Sequence, residues 1–428
     1  MSVTVLFASF FVLLLLRVPI AMALGLSGFL VVFIEGLNPI VAISRLYEGL
    51  NSFPLLAVPF FLLAGQMMNA GEVTDRIMNF AMALVGHIKG GLAHVNVVVS
   101  MLFAGMSGSA VADTAGVGAI LIPSMKSRGY SEPFVVALTA ASSTMGAIIP
   151  PSILMVIYGA AGNVSIGALF LAGAIPGLLV GLVQMVYSFV HAVSYGSPAE
   201  PWKGAGEIGR TGRAAIGPLI VPAIILGGVL SGQFTATEAG MVATVYTAFL
   251  IFIVYRSFPI RSIPRLLSET VVNYSLPLLA VAAASFFGWL LAFLEVPDMA
   301  VHFAEPALGS PEATLIAIMA LFLVLGTFLD AVPAIIIFMP IVSRLVEASG
   351  AHPVQTGIVV IMTLALGLVT PPYGLCLLVA SMISKVSVVK VMPQMFIFLA
   401  LMILVILAVI FVPALSLWLP KLLMPRFI

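Results

Sequence analysis

Residues 143–155 read STMGAIIPPSILM, and residues 364–376 read LALGLVTPPYGLC. Each puts a Pro-Pro pair, Pro150-Pro151 or Pro371-Pro372, inside a long apolar segment. Proline has no backbone N–H and its ring collides with the preceding turn, so neither segment continues as one helix. In a bilayer the carbonyls freed by the break need another partner. Each pair also follows a glycine-containing stretch with an aspartate, GMSGSAVADT at 105–114 and GTFLDAVP at 326–333. One device used in both halves of an apolar chain points to a transporter binding site.

Composition sets the solvent. Of 428 residues 62% are apolar and only 8% charged, which defines an all-α polytopic membrane protein, read as a single integral domain over 1–428. The net charge of +1, with no basic run interleaved with aromatics, gives no nucleic-acid signal. The single cysteine, Cys376, excludes an internal disulfide. No G-x-x-x-x-G-K-[ST] and no C-x-x-C-H occur, so neither ATP hydrolysis through a P-loop nor a redox cofactor is expected. The start MSVTVLFASFFVLLLLRVPIAMA lacks a basic residue ahead of its apolar run and is read as a retained membrane segment, with Arg17 snorkelling.

Expected crossings are Val3–Ile34 (interrupted at Arg17-Val18-Pro19), Phe53–Ala70, Ser131–Gly162, Ile166–Tyr195, Ala214–Gly232, Thr235–Tyr255, Val271–Leu294, Pro353–Ser384 and Met392–Leu419. Gly91–Lys126 and Glu312–Arg344 each offer arms of about 15 residues, about 22 Å of helix against a core of about 30 Å. A re-entrant hairpin fits them better than two full spans. Ile40–Gly49 and Val73–His87 read as interfacial amphipathic helices, with Ile260–Glu269 as a counterpart. In this topology Arg76, Lys89, Lys126, Arg128, Lys203, Arg210, Arg213, Arg256, Arg261, Arg265, Lys385 and Lys390 share one side. The other side holds only Arg45, Arg344, Lys421 and Arg426, along with Asp298, Glu305 and Glu312. The basic side is expected to be cytoplasmic.

The chain also repeats. Ser52-Phe-Pro-Leu-Leu-Ala-Val58 recurs as Ser275-Leu-Pro-Leu-Leu-Ala-Val281 at an offset of 223, which also relates Glu72-Val73-Thr74-Asp75 to Glu295-Val296-Pro297-Asp298. Asp113 and Pro123 match Asp330 and Pro340 at an offset of 217, and the Pro-Pro pairs match at 221. An odd number of crossings separates the copies, so the expectation is an inverted-topology repeat with two half-sites facing each other at mid-depth. Repeat one spans about 38–196, with a hairpin at 90–128 and a broken helix at 131–162. Repeat two spans about 260–420, with a hairpin at 312–347 and a broken helix at 353–385.

The breaks suggest their own ligands. Carbonyls around Gly146–Ile149 and Gly367–Val369 suit a hard cation such as Na⁺. The following half-helices, each with a proline near its first position and Thr370 as a possible cap, suit a carboxylate at their N-termini. Asp113 and Asp330 are the carboxylates expected near the membrane centre. Asp113 reads equally well as a helix cap or a ligand; Asp330, beside Phe328-Leu329, reads as functional. Ser107 and Ser152 are candidate substrate donors, or else caps and packing residues.

These motifs are similar to those of a known family. SFPLLAVPFFLLAGQMMNAG at 52–71, MSGSAVADTAGVGAILIPSM at 106–125, GAIIPPS at 146–152, LGTFLDAVPAIIIFMPI at 325–341 and GLVTPPYG at 367–374 resemble the large membrane subunit of tripartite ATP-independent periplasmic (TRAP) transporters. The resemblance implies a scaffold plus an elevator-type transport domain in a bacterial inner membrane. It implies Na⁺-coupled uptake of an organic acid such as a C4-dicarboxylate, keto acid, sugar acid or sialic acid. It further implies two or more Na⁺ ions, one at Gly105, Ser107, Gly146, Ile149 and Pro151 and one at Gly326, Leu329, Gly367, Thr370 and Tyr373, with substrate at Ser107, Ser152 and Asp330. The implied partners are a separate small four-helix membrane subunit and a periplasmic substrate-binding protein. The competing readings are a self-sufficient cation-coupled symporter or antiporter, and an intramembrane enzyme using Asp113 and Asp330 as an acid-base pair.

Overall fold

The computed structural model describes residues 1–70, 73–304 and 309–427, with helices and connecting turns and no strand among them. Glu72 of the repeat and Glu305 of the charge pattern lie outside the described residues. The first section comprises α1 (Ser2–Leu15), α2 (Ile20–Ile34), α3 (Pro39–Leu50), α4 (Ala57–Ala70), α5 (Val73–Val85), α6 (Gly91–Ser107) and α7 (Ala110–Ser127). It continues with α8 (Glu132–Ser143), the single turn α9 (Met145–Ile148), α10 (Ile153–Gly162) and α11 (Ile166–Tyr195). Two helices, α12 (Ala205–Leu230) and α13 (Ala236–Phe249), lead to α14 (Ile263–Phe293) and α15 (Val296–Ala304). Then come α16 (Pro311–Gly326), α17 (Ala331–Ser349), α18 (Pro353–Gly367), α19 (Leu375–Ser384), α20 (Val388–Phe411) and α21 (Ala414–Leu423).

Six described helices are long and apolar enough to cross a membrane, and the bent pairs at Pro39–Leu50 with Phe53–Asn69 and at Glu132–Ile148 with Ile153–Gly162 make eight. The chain is a multi-pass membrane protein. Three local expectations change. Val3–Ile34 is not one span: α1 and α2 pack against each other, and the Ser2 hydroxyl donates to the Glu35 carboxylate, so the two helices run antiparallel. The turn is enforced at Arg17, with φ of 62°, because Pro19 bars the residues before it from helix. Arg17 is thereby carried to the end of this hairpin away from Glu35. Ile260–Glu269 is not a separate interfacial helix, since its residues from Ile263 onward form the first turns of the continuous α14.

The third change concerns α17, which at 19 residues is long enough to cross. It is one of the six helices counted above, so only α16, at 16 residues, keeps the short-arm length expected of Glu312–Arg344.

The shared S-x-P-L-L-A-V block behaves differently in its two copies. Around Pro54 the chain breaks between α3 and α4 with a 54° bend, whereas α14 runs straight through Pro277. Gly49 and Asn51, poor helix formers, precede the first copy; Val272 and Tyr274 stand in the equivalent places of the second. Carbonyls freed by prolines find side-chain donors elsewhere. Pro59 frees the Leu55 carbonyl, which accepts from the Tyr274 hydroxyl at 3.1 Å. Pro413 frees that of Val409, which accepts from Gln355 Nε2 at 3.0 Å. These are the repairs a bilayer demands.

The hairpins and broken helices occupy the interior. Every residue from Phe134 to Ser143 in α8 and from Val354 to Gly367 in α18 is buried. α19 packs on both α7 and α8, and α18 packs on α9, so the two halves of the chain meet at the breaks.

Candidate functional site

The two Pro-Pro segments lie between helices rather than opening them. α10 starts at Ile153 after N-cap Ser152, and α19 starts at Leu375 after Gly374, which has φ of 39°. The expectation of proline in the first helical turn is therefore corrected. Thr370 does not cap α19 either: its hydroxyl donates back to the Leu366 carbonyl at 2.8 Å. A pre-proline residue is held in an extended or turn conformation, which delays the next helix by a few residues.

The freed carbonyls divide into two classes. Pro151 frees the Ala147 carbonyl, which accepts from the Ser152 hydroxyl at 2.6 Å. Pro372 frees that of Leu368, which accepts from the Cys376 N–H at 2.9 Å. The Gly367 carbonyl, freed by Pro371, accepts from Thr370 N–H at 3.1 Å. Among the described residues no donor reaches the carbonyls of Gly146, freed by Pro150, or of Leu329, freed by Pro333, nor those of Ile149 and Val369. Two of these oxygens lie in each half of the chain.

Each hairpin tip is tied to its break by one main-chain bond. Ile153 N–H donates to the Gly108 carbonyl at 3.3 Å, and Tyr373 N–H donates to the Thr327 carbonyl at 3.2 Å. Glycines allow the approach. A Cβ on Gly367 would lie 2.6 Å from the Gly326 carbonyl oxygen, and one on Gly146 would lie 2.5 Å from Asp113 Oδ2. At Gly105 it would meet Pro222 of α12 at 3.2 Å.

Of the two readings left open for Asp113, cap or ligand, the structure removes the cap, and it adds a cap role to Asp330. Ser109, not Asp113, caps α7, accepting from Ala112 N–H at 3.4 Å. Asp113 is fully buried; its Oδ1 accepts from the Ser107 hydroxyl at 2.5 Å, and Oδ2 has no partner. Asp330 caps α17 through Ala331 N–H at 2.8 Å and is only half-buried. The hydroxyls of Ser107 and Ser152 both donate within the protein, so toward a ligand their oxygens are acceptors. Cys376 of α19 lies beside Thr114 of α7, where these two helices pack.

Gly105, Ser107, Gly146, Pro151 and Ser152 are buried and Ile149 half-buried; Gly326, Leu329 and Gly367 are buried, while Thr370 and Tyr373 are half-buried. The backbone ties at Gly108 and Thr327 escape sequence reading because a main-chain bond has no side-chain signature. A cavity of about 390 Å³ lies elsewhere, between α3, α10, α14 and α17.

The donor set is oxygen throughout: free carbonyls, hydroxyls and a buried carboxylate oxygen. No cluster of three His, Cys, Asp or Glu exists among the described residues. Such a set fits a hard cation and not a transition metal.

Comparison with known proteins agrees with this architecture. Residues 7–415 match the family model described as "Tripartite ATP-independent periplasmic transporter, DctM component". The chain is 41% identical over 345 residues to the sialic acid TRAP transporter large permease protein SiaM of Vibrio cholerae, covering 81% of each chain. It is 37% identical over 400 residues to the C4-dicarboxylate TRAP transporter large permease protein DctM of Pseudomonas aeruginosa, covering 93% of this chain and 94% of that one. Against the 2,3-diketo-L-gulonate TRAP transporter large permease protein YiaN of Escherichia coli, identity is 37% over 370 residues, covering 86% and 87%. Solved structures of Neisseria gonorrhoeae MtrF and of Alcanivorax borkumensis YdaH share the fold, with TM-scores of 0.60 and 0.57 at 12% and 14% identity. MtrF aligns over 87% of this chain and 83% of its own, and YdaH over 86% of each. With unpaired carbonyls at two related breaks and a family match along nearly its whole length, the chain belongs to the DctM family of TRAP transporter large permeases.

Proposed function

We propose that this permease carries an organic acid, a sialic acid, C4-dicarboxylate or sugar or keto acid, into a bacterial cell across the inner membrane, driven by Na⁺. The observation that carries the reading is the set of carbonyls without donors, Gly146 and Ile149 at the first break, Val369 at the second and Leu329 at the α16–α17 tip. A Na⁺ ion in half-site one draws on Gly105, Ser107, Gly146, Ile149 and Pro151, with Asp113 Oδ2 supplying the negative charge. A second draws on Gly326, Leu329, Gly367, Thr370 and Tyr373. Na⁺ supplies the coupling charge; the chain supplies the oxygens and keeps lipid away from them.

The acid is held at the N-termini of α10 and α17, where free N–H groups and the helix dipole favour a carboxylate. Ser107, Ser152 and Asp330 accept from substrate hydroxyls. Each net positive charge crossing contributes about 2.3 kcal/mol per 100 mV, so two excess Na⁺ support roughly a thousandfold gradient. Hairpins and broken helices move together as the elevator body, and α4, α12, α13 and α14 form part of the scaffold. A small four-helix membrane subunit and a periplasmic binding protein complete the complex.

Replacing Asp330 by asparagine tests this reading against catalysis. Asparagine keeps the α17 cap but not the charge. Uptake by the reconstituted complex falls sharply while the substrate recovered from the vesicle lumen is chemically unchanged. A converted product in the wild-type lumen, lost in Asp330→Asn, would instead support an acid-base pair. Omitting the binding protein separates the complex from a self-sufficient symporter: uptake continuing at the full rate without it would contradict the tripartite reading.

A further inference from the structure

A cavity of about 390 Å³ lies between α3, α10, α14 and α17, and none of the candidate transport-site residues lines it. Its walls include Ile157 of α10 and Ile336 of α17, five and six residues beyond Ser152 and Asp330. At 1.5 Å per residue its floor lies roughly 8–9 Å of helix rise from those site residues. It also lies between the half that carries the breaks and the α3–α14 wall.

The one charged lining residue is Glu48, and two arginines stand next to lining residues: Arg45 paired with Glu48, and Arg344 following Ser343. Arg45 and Arg344 are two of only four basic residues that the charge pattern puts on the side opposite the basic one. Arg45 on α3 pairs with the lining residue Glu48 through Nη1 at 2.6 Å, and its guanidinium carbon stands 5.3 Å from the ring centre of Trp289, another lining residue. The side chain is 40% exposed. One single-pronged ion pair leaves most of the five guanidinium N–H donors free for a second carboxylate. The lining hydroxyls of Ser52, Ser285 and Ser343 make no hydrogen bond among the described residues. Arg344 follows Ser343 on the far wall and is partnered by Asp298 at 3.4 Å.

We propose that this cavity is an outer subsite for a hydroxylated carboxylate, a waiting position for the acid before it descends to the α10 and α17 N-termini. The acid's carboxylate takes the free edge of Arg45 above the Trp289 ring, and Ser52, Ser285 and Ser343 meet its hydroxyl and keto oxygens. The proposal rests on the carboxylate reading above. Because Arg45 is half-exposed and already paired, binding here is weak, which suits a site that must release forward.

Trp289 is the built-in reporter, since the chain has only three tryptophans. In the full-length chain carrying Trp202→Phe and Trp418→Phe, N-acetylneuraminate and succinate are titrated in Na⁺-free choline buffer, with chloride as the control anion. The expected result is a saturable emission change with at least one acid. Its dissociation constant rises about tenfold or more in Arg45→Gln and less in Arg45→Lys. Ser343→Leu, which fills the cavity from the opposite wall, abolishes the change without touching Arg45. No saturable change, an unchanged titration in Arg45→Gln, or an equal response to chloride overturns the proposal. So does a variant that titrates normally but takes up substrate slowly only at low binding-protein concentration, because Arg45 then docks the protein partner. A normal Na⁺-free titration alongside Na⁺-independent uptake would contradict the coupling mechanism while leaving this subsite standing.

Discussion

Gly367→Ala is expected to reduce uptake by about ten- to hundredfold while the protein remains folded. The added methyl would sit 2.6 Å from the Gly326 carbonyl oxygen and 2.8 Å from its Cα, both backbone atoms that cannot swing aside. To make room, the tip of the α16–α17 hairpin must move off the α18–α19 break. That movement strains the Tyr373 to Thr327 bond and shifts Leu329, whose free carbonyl stands at that tip. Overpacking of this kind costs about 1–3 kcal/mol, enough to disable a cation site without unfolding a membrane protein of this size. Gly227→Ala is the control, because a Cβ there meets nothing within 4 Å. Initial uptake rates at matched reconstitution, with a gel-filtration profile for each variant, decide the matter. Wild-type rates in Gly367→Ala would show that the close approach of these backbones is dispensable.

Asp113→Asn is expected to act on coupling. The substitution keeps the volume and lets the amide oxygen go on accepting from Ser107, but it puts an N–H₂ where the unpartnered Oδ2 now points toward Gly146. A cation at Gly146 and Ile149 then meets a donor instead of a charge. Breaking a buried charge pair by removing one partner costs about 3–5 kcal/mol. Half-saturating Na⁺ for uptake therefore rises by about a hundredfold or more, with little change in substrate concentration dependence once Na⁺ saturates. An unaltered Na⁺ dependence would mean that the Asp113 carboxylate serves only to hold Ser107.

The breaks are legible in the sequence because proline lacks its N–H in every context, so Pro150-Pro151 and Pro371-Pro372 by themselves announce freed carbonyls. Which carbonyls stay free is not legible there. Ser152 and Cys376 silence Ala147 and Leu368, while Gly146, Ile149, Leu329 and Val369 are left unpaired, and that depends on where the chain turns next. The cap role of Asp113 stays open in the sequence for a similar reason. Ser109 and Asp113 both stand near the start of α7, and local sequence does not say which one faces the free N–H groups. At the N-terminus, 32 apolar-rich residues around Arg17-Val18-Pro19 have about the length of one kinked span. The packing of α1 on α2 and the contact between Ser2 and Glu35, both tertiary, show that the chain doubles back.

The most direct test of the mechanism is uptake by proteoliposomes holding the permease, its small membrane subunit and the binding protein, with an imposed inward Na⁺ gradient and membrane potential. The mechanism predicts concentrative, electrogenic uptake of an organic acid that stops when choline replaces Na⁺ and speeds up as the interior is made more negative. Uptake of equal rate and extent in Na⁺-free buffer would contradict it.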